Sequence, residues 1–280
     1  MKKRFDNSEL VADWYEVKPL RDDLFLIDEQ DHVAFFVIKV GDRGYFIDSG
    51  LGLIDSAAKE LLRFLGIQSF DVIATHSHCD HSGLNHLANS IQILEDEWIK
   101  YQELDEQNQI KTYIKMIGTD LPWPKELKEF PPKQEPWKPT SFISEGQILK
   151  LGSWNLEAIL LPGHTRGHLI FLEKQKGVLF LGDFIVSGTN FIHLRDSSIE
   201  AYFNSLQKLD SILSSSPEEP MLLSCHDQIP ISKNHIQELI APIEAIKSNN
   251  IKPTSRWEAN DVFFGSMAIR HGVSTCRHSH

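Results

Sequence analysis

Cysteine is scarce in this chain. Cys79, Cys225 and Cys276 are the only three in 280 residues, and no C-x-x-C occurs. An odd, widely spaced set builds neither a disulfide framework nor a thiolate zinc knuckle. Long apolar runs are also missing, and no stretch approaches the roughly 20 residues that cross a bilayer. The basic start, Met1-Lys2-Lys3-Arg4, leads into no apolar segment of a secretion signal. The expectation is a cytoplasmic protein with no membrane partner. Positive charge is in deficit: 28 Lys and Arg against 39 Asp and Glu leave a net −11, and the basic residues form no patch. Such a surface repels phosphate backbones, so no nucleic-acid partner is expected. No G-x-S-x-G occurs, which removes the usual signature of a serine nucleophile on a strand-to-helix elbow.

What is present is ordinary globular material, 41% hydrophobic and 24% charged, with ample length for a core. Residues 1–20 are polar and read as a lead-in. Leu24–Ile27, Val33–Lys39 and Tyr45–Asp48 read as a meander of strands, with Gly41-Asp42-Arg43-Gly44 as a turn. Ile54, Ala57, Ala58, Leu61, Leu62 and Leu65 recur at helical spacing, and Gly66 is placed to stop that helix. A strand over 70–74, a helix near 83–89 and a strand over 90–94 follow. This alternation is α/β.

Residues 95–140 break the pattern. The stretch 96–117 is charged and helical in period. Beyond it Pro122, Pro124, Pro131, Pro132, Pro136 and Pro139 exclude a regular helix or central strand. Trp123 and Trp137 lie among them, and linkers rarely carry tryptophan. The segment is expected to be a lid or substrate-binding excursion. The second half returns to strands at 147–151, 155–161, 168–173 and 177–181. A helix over 198–214, a strand over 220–224 and a helix over 232–248 follow. The tail, 249–280, reads as weakly structured apart from the apolar Val262-Phe263-Phe264. Two sheets packed face to face with helices outside accommodate this order.

Histidine and aspartate then concentrate at strand ends. Thr75-His76-Ser77-His78-Cys79-Asp80-His81-Ser82-Gly83 follows the apolar run Asp71–Ala74. Imidazole and carboxylate ligate zinc and similar divalent ions. An H-x-H pair at a strand end can put two imidazoles on one ion, while Asp80 and His81, one step further round, can serve a second. His164 follows the strand ending at Leu161, Asp183 the strand ending at Leu181, and His226 the strand ending at Ser224. Asp48 ends its own strand in the same way. Each alone is an ordinary turn residue; together, in this order, they suggest one metal centre. Cys79 is expected to point away from it and Cys225 into the core. His86, His193 and His235 read as surface or helix residues, and His271, His278 and His280 as part of the tail.

The set resembles the metallo-β-lactamase superfamily over roughly residues 20–245. The match is H-x-H-x-D-H at His76, His78, Asp80 and His81; P-G-H-T-x-G-H at Pro162 to His168; G-D at Gly182-Asp183; and the late His226. The resemblance implies a four-layer αβ/βα sandwich, two mixed β-sheets with helices outside, over residues 1–248. It implies two divalent metal ions, Zn2+ first and Mn2+ or Fe2+ as alternatives. His76, His78 and His164 would hold one, and Asp80, His81 and His226 the other, with Asp183 bridging. Asp48 and His168 would support the ligands from behind. Arg166 stands where proline is frequent in the family, and Asp183 where one class of lactamases carries cysteine, which counts against antibiotic hydrolysis.

The function implied is a dinuclear hydrolase. A bridging water, its pKa brought from about 16 toward about 7, supplies hydroxide. Asp80 orients it and passes a proton to the leaving group. The substrate expected is a small molecule with an ester-like bond: lactone, thioester or ester, as in the glyoxalase II and lactonase branches. The alternative is a ribonuclease or phosphodiesterase of the same superfamily, which the net charge opposes. An iron-dependent redox enzyme and a binding module without catalysis rank lower. A homodimer is compatible with the excursion at 95–140.

Overall fold

Alternating burial along the strands sets the layers. Leu24 and Leu26 face one core while Phe25 and Ile27 face another; Phe36 and Ile38 oppose Phe35 and Val37 in the same way. The computed structural model describes residues 5–103, 106–117, 121–125, 127, 130, 134–192, 197–216, 218–247 and 268–270. The first sheet has eight strands in chain order. They are β1 (Glu9–Val11), β2 (Tyr15–Arg21), β3 (Leu24–Glu29), β4 (Ala34–Val40), β5 (Arg43–Ile47), β6 (Ser69–Ile73), β7 (Ser90–Leu94) and β8 (Ser141–Ile143). Pairing is antiparallel through β5 and parallel from β5 to β8. Helix α1 (Asp55–Leu65) makes the first parallel crossover and ends at Gly66 in the left-handed conformation, φ 64°. Helices α2 (Glu95–Glu103) and α3 (Glu106–Ile117) lie in the long connection to β8.

The second sheet contains β9 (Ile148–Leu151), β10 (Trp154–Leu160), β11 (Leu169–Glu173), β12 (Val178–Gly182) and β14 (Met221–Ser224), in the order β14-β12-β11-β10-β9. Only β12 and β14 pair in parallel. Between them run β13 (Thr189–Phe191) and α4 (Ile199–Ser215), the latter capped by Ser198 Oγ accepting from the Ala201 N–H at 3.2 Å. Helix α5 (Lys233–Lys247) follows, and β15 (Ala268–Arg270) pairs with β13.

Three clusters separate four layers. Leu24, Leu26, Phe36, Ile38, Leu156, Phe171 and Phe180 fill the space between the sheets. Ala57, Ala58, Leu61 and Leu65 of α1 close the outer face of the first sheet. Tyr202, Leu206, Leu209, Ile236, Leu239 and Ile243 of α4 and α5 close the second. Each such apolar side chain is worth roughly 1.5–3 kcal/mol when fully buried, so the strands are rigid mounts for what their ends carry. This is the αβ/βα sandwich that the sequence implied.

Two local expectations need correction. Residues 1–20 are not a lead-in: β1 and β2 belong to the first sheet, because Trp14, Tyr15 and Val17 are buried in its outer core. No α-helix forms near 83–89; a single 3-10 turn, Asn85–Leu87, replaces it. There Gly83 and Leu84 donate instead to the Gly50 and Ser49 carbonyls, which fixes the segment against the turn after β5. The described residues of the charged stretch 96–117 are helical, in α2 and α3. The described part of 121–140 has no helix or strand, as its prolines require. His193, Cys276, His271, His278, His280 and Val262–Phe264 lie outside the described residues. Among the described residues, no helix is long and apolar enough to cross a membrane.

Candidate metal centre

Five strand ends converge. β5, β6, β10, β12 and β14 deliver Asp48, the loop 75–82, the loop 162–168, Asp183 and His226 from their carboxyl ends, where α/β sheets bind ligands. Backbone bonds tie the two sheets together there. Leu169 N donates to Thr75 O at 2.9 Å and Ala34 N to Cys225 O at 2.7 Å. Gly182 ends β12 with φ 52°; a Cβ on it would sit 2.6 Å from Thr75 Oγ1 and 2.9 Å from His168 Nε2. Only glycine lets Asp183 approach the histidine loop this closely.

The donor atoms fall into two groups that share Asp183. One is His76, His78, His164 and Asp183; the other is Asp80, His81, Asp183 and His226. In the first, His76 Nε2 lies 3.0 Å from His78 Nδ1, which lies 3.1 Å from His164 Nε2. In the second, Asp183 Oδ1 is 3.2 Å from both His81 Nε2 and His226 Nε2, and Asp80 Oδ2 is 3.3 Å from His226 Nε2. The other oxygen of Asp183 turns back to His164 Nε2 at 3.7 Å. One carboxylate thus addresses both groups. A third combination, Asp48 with His76 and His81, is also close enough to hold an ion. Its carboxylate is already occupied, however: Oδ1 accepts from Thr75 N, and Oδ2 from Thr75 Oγ1 and His81 Nδ1.

Whether these donors suit a cation follows from the far side of each ring. His81 Nδ1 bonds Asp48 Oδ2 at 3.0 Å, His164 Nδ1 bonds Phe191 O at 2.8 Å, and His226 Nδ1 bonds His32 O at 2.9 Å. His76 Nδ1 meets Thr75 Oγ1, whose own proton goes to Asp48. Each acceptor takes the Nδ1 proton and turns Nε2 toward the common space, where its lone pair is free to meet a cation once any Nε2 proton has left. Lone pairs facing lone pairs and carboxylates inside a protein need a positive charge between them.

Electrostatics divide the groups further. Burial, reinforced by neighbouring imidazoles, holds His76 and His164 below the ordinary histidine range and His78 down to about 3. These rings are neutral ligands at any physiological pH. Burial also opposes charge on His81 and His226, but Asp183 and Asp80 overcome it, raising His81 well above its usual range and His226 to about 10. Those same histidines outweigh burial at Asp80 and Asp183 and keep both carboxyls below theirs. The second group therefore attracts positive charge strongly. Both groups fit a divalent ion.

Of the remaining sequence candidates, His168 is fully buried, stacks on His76 with ring centroids 4.9 Å apart, and has no hydrogen-bond partner on either ring nitrogen among the described residues. His86 bridges Gly83 O and Asp55, away from the donors, and His235 bonds within the start of α5. Cys79 is buried in the inter-sheet cluster. Cys225 is buried as expected, yet its Sγ also reaches Asp48 Oδ2 at 3.9 Å.

Several residues at the centre carried no sequence signal. Glu97 accepts from Ser77 N and Ser77 Oγ, both at 3.0 Å, and from Gly167 N at 2.8 Å. The His32 carbonyl accepts from both His226 Nδ1 and Tyr113 Oη. Gln134 bonds the Leu51 and Cys79 carbonyls. Glu29 accepts from Leu51 N, Gly52 N and Trp14 Nε1. The partners of Glu97 lie 20 and 70 positions away, a separation that leaves no local pattern.

Comparison with known proteins agrees with this geometry. Residues 29–212, well over half the chain, match the profile of the Metallo-beta-lactamase superfamily. The chain belongs to that superfamily, a class of metallo-hydrolases. It is 26% identical over 215 residues, 71% of this chain and 76% of the relative, to acyl-coenzyme A thioesterase MBLAC2 of Gallus gallus. It is 32% identical over 119 residues, 42% of this chain and 50% of the relative, to hydroxyacylglutathione hydrolase GloC of Haemophilus influenzae. A metallo-beta-lactamase family protein from Thermus thermophilus superposes with a TM-score of 0.61 at 20% identity, covering 82% of each chain, which speaks to the fold.

Proposed function

We propose that this protein is a two-ion hydrolase of small-molecule thioesters. The observation that carries the reading is the pair of donor groups joined by Asp183, six imidazole and carboxylate side chains besides it, each aimed inward. His76, His78 and His164 would hold the first ion and Asp80, His81 and His226 the second, with Zn2+ the proposed metal at both. Bound there, the ions supply a water acidic enough to attack at neutral pH and polarise the substrate carbonyl.

The chain's own residues do the rest. Asp48, Phe191 O and His32 O hold the Nδ1 sides of His81, His164 and His226, so these rings are already oriented with Nε2 toward the ion. Asp80, ionised at neutral pH, is the carboxylate that takes the proton from the attacking water and returns it to the leaving group. A thiol leaving group suits such a site. Its ordinary pKa of about 8.5 makes the thiolate nearly stable in water, so a single carboxylate suffices as proton carrier. The relatives support the same class: the names acyl-coenzyme A thioesterase and hydroxyacylglutathione hydrolase both describe an acyl group on a thiol-bearing carrier. Tyr113, Pro122, Trp123 and Gln134 bring the insert against His32 and the Cys79 carbonyl, which supports its reading as the substrate-facing wall.

The test is turnover by the zinc-loaded chain on an acyl-coenzyme A, a hydroxyacylglutathione, a lactone and a phosphodiester under one set of conditions. Hydrolysis of a thioester at the highest kcat/KM is expected. Turnover of the phosphodiester alone would move the protein to the nuclease side of the superfamily.

A further inference from the structure

Glu97 is a carboxylate in an unusual place. It belongs to the first turn of α2, it is 1% exposed, and no cation neutralises it among the described residues. Both its oxygens are committed to backbone and side-chain donors of two separate loops. Oε2 accepts from the amide and hydroxyl of Ser77, the residue between His76 and His78. Oε1 accepts from the amide of Gly167, in the loop that carries His164. The approach is tight: a Cβ on Gly167 would stand 2.9 Å from Glu97 Cγ and 3.0 Å from Oε1. The loops come from different sheets, one after β6 and one before β11, so the carboxylate spans the seam of the sandwich.

The helix carrying it is itself held. Trp98 and Tyr101 stack at 5.4 Å, and Trp137 packs on them at 5.4 and 4.5 Å. The first turn of a helix also favours an anion, through the exposed N–H groups there. Burial pushes the Glu97 carboxyl above its ordinary range, while Thr165, Gly167 and Ser77, all on the two loops, pull the other way. Such a cost is borne where the charge organises something.

We propose that Glu97 is a positioning residue that clamps the two loops carrying His76, His78 and His164, and so sets the ion affinity of the first donor group without touching the ion. All three imidazoles of that group lie within three residues of a Glu97 contact; none of the second group's ligands bonds to Glu97. The proposal rests on the two-ion reading above.

Isosteric replacement gives a clean break. Glu97→Gln keeps shape and volume but offers one acceptor oxygen; its NH2 end must face either the Ser77 or the Gly167 amide, donor against donor. The full chain is stripped of metal and titrated with Zn2+ against a chromophoric chelator, as wild type, Glu97→Gln and Ser77→Ala. Wild type is expected to take two ions. In Glu97→Gln one ion is weakened roughly 10–100-fold, the usual effect of losing a partner behind the ligands, and the other by about threefold or less. In a His226→Ala background the remaining tight ion is the one that Glu97→Gln weakens. Ser77→Ala removes one donor only and weakens the same ion by a smaller factor, and it carries the test if circular dichroism shows Glu97→Gln unfolded. Two ions bound equally well by wild type and by the variants that fold would overturn the clamp and leave the two-ion reading standing. Equal weakening of both ions overturns the clamp as well. A wild type that binds no ion overturns the two-ion reading and the clamp with it.

Discussion

The two donor groups differ in what stands behind them. The first is three neutral imidazoles, mounted on two loops that one buried carboxylate, Glu97, draws together. The second is two imidazoles and a carboxylate besides the shared Asp183, and its supports come from the N-terminal half and the insert. Asp48 holds His81, the turn at 49–52 carries the His81–Leu84 segment, and the His32 carbonyl, itself capped by Tyr113 of α3, holds His226. Glu97 on α2 and Tyr113 on α3 both belong to the connection between β7 and β8, so one insert reaches the two groups through different helices.

Asp183 is where that distinction collapses, and Asp183→Ala should show the largest effect. It removes an oxygen from each group at once. Hydrolysis is expected to fall by about 10²–10³-fold or more, the scale for deleting a charge-stabilising group at a reacting centre. Metal analysis should show fewer than two ions per chain with the circular dichroism spectrum retained. Wild-type turnover in this variant would remove the shared carboxylate from the reading.

The support beneath the second group should be sensitive to pH. Burial raises the Glu29 carboxyl from 4.5 to about 7, against the opposing donors Leu51 N, Trp14 Nε1 and Gly52 N. A carboxyl with a raised folded pKa binds its proton more tightly folded than unfolded. Its contribution is therefore whole below 4.5 and is lost as pH rises through 7, a change of about 3 kcal/mol. Urea unfolding of wild type and Glu29→Gln at pH 5 and pH 8 isolates it. The stability of wild type relative to the variant should be lower at pH 8. A difference that stays constant, or that grows with pH, would mean Glu29 is ionised in the folded protein throughout.

The smallest effect sharpens the comparison most. Tyr113→Phe removes one hydroxyl from the His32 carbonyl and keeps the ring packed against His32, 6.2 Å between centroids. One net hydrogen bond is worth about 1 kcal/mol, so the affinity of the second ion should fall by about fivefold. The first ion should be unchanged in the same titration against a chromophoric chelator. A loss at the first ion instead would show that α3 serves both groups and not the second alone.

The fold class and the donors were legible because each rests on local pattern. Period-two burial announced the strands, and the donors sit a few residues past apolar runs, as at Ile73 to His76 and Leu181 to Asp183. The same locality misled at Trp14-Tyr15, where a polar average hid two buried aromatics, and at 83–89, where long-range bonds to Ser49 and Gly50 replaced helical ones.

By itself, then, the sequence determined which imidazole and carboxylate side chains stand at strand ends and which strands deliver them, since both follow from spacing along one chain. Only the tertiary structure decided what stands behind them. Glu97 reaches Ser77 across 20 residues and Gly167 across 70; His226 reaches His32 across 194. Such pairings leave no periodicity to read. A hydrogen bond is short-ranged and directional, and which donors meet which acceptors is fixed only when two packed sheets bring their loops to the same edge.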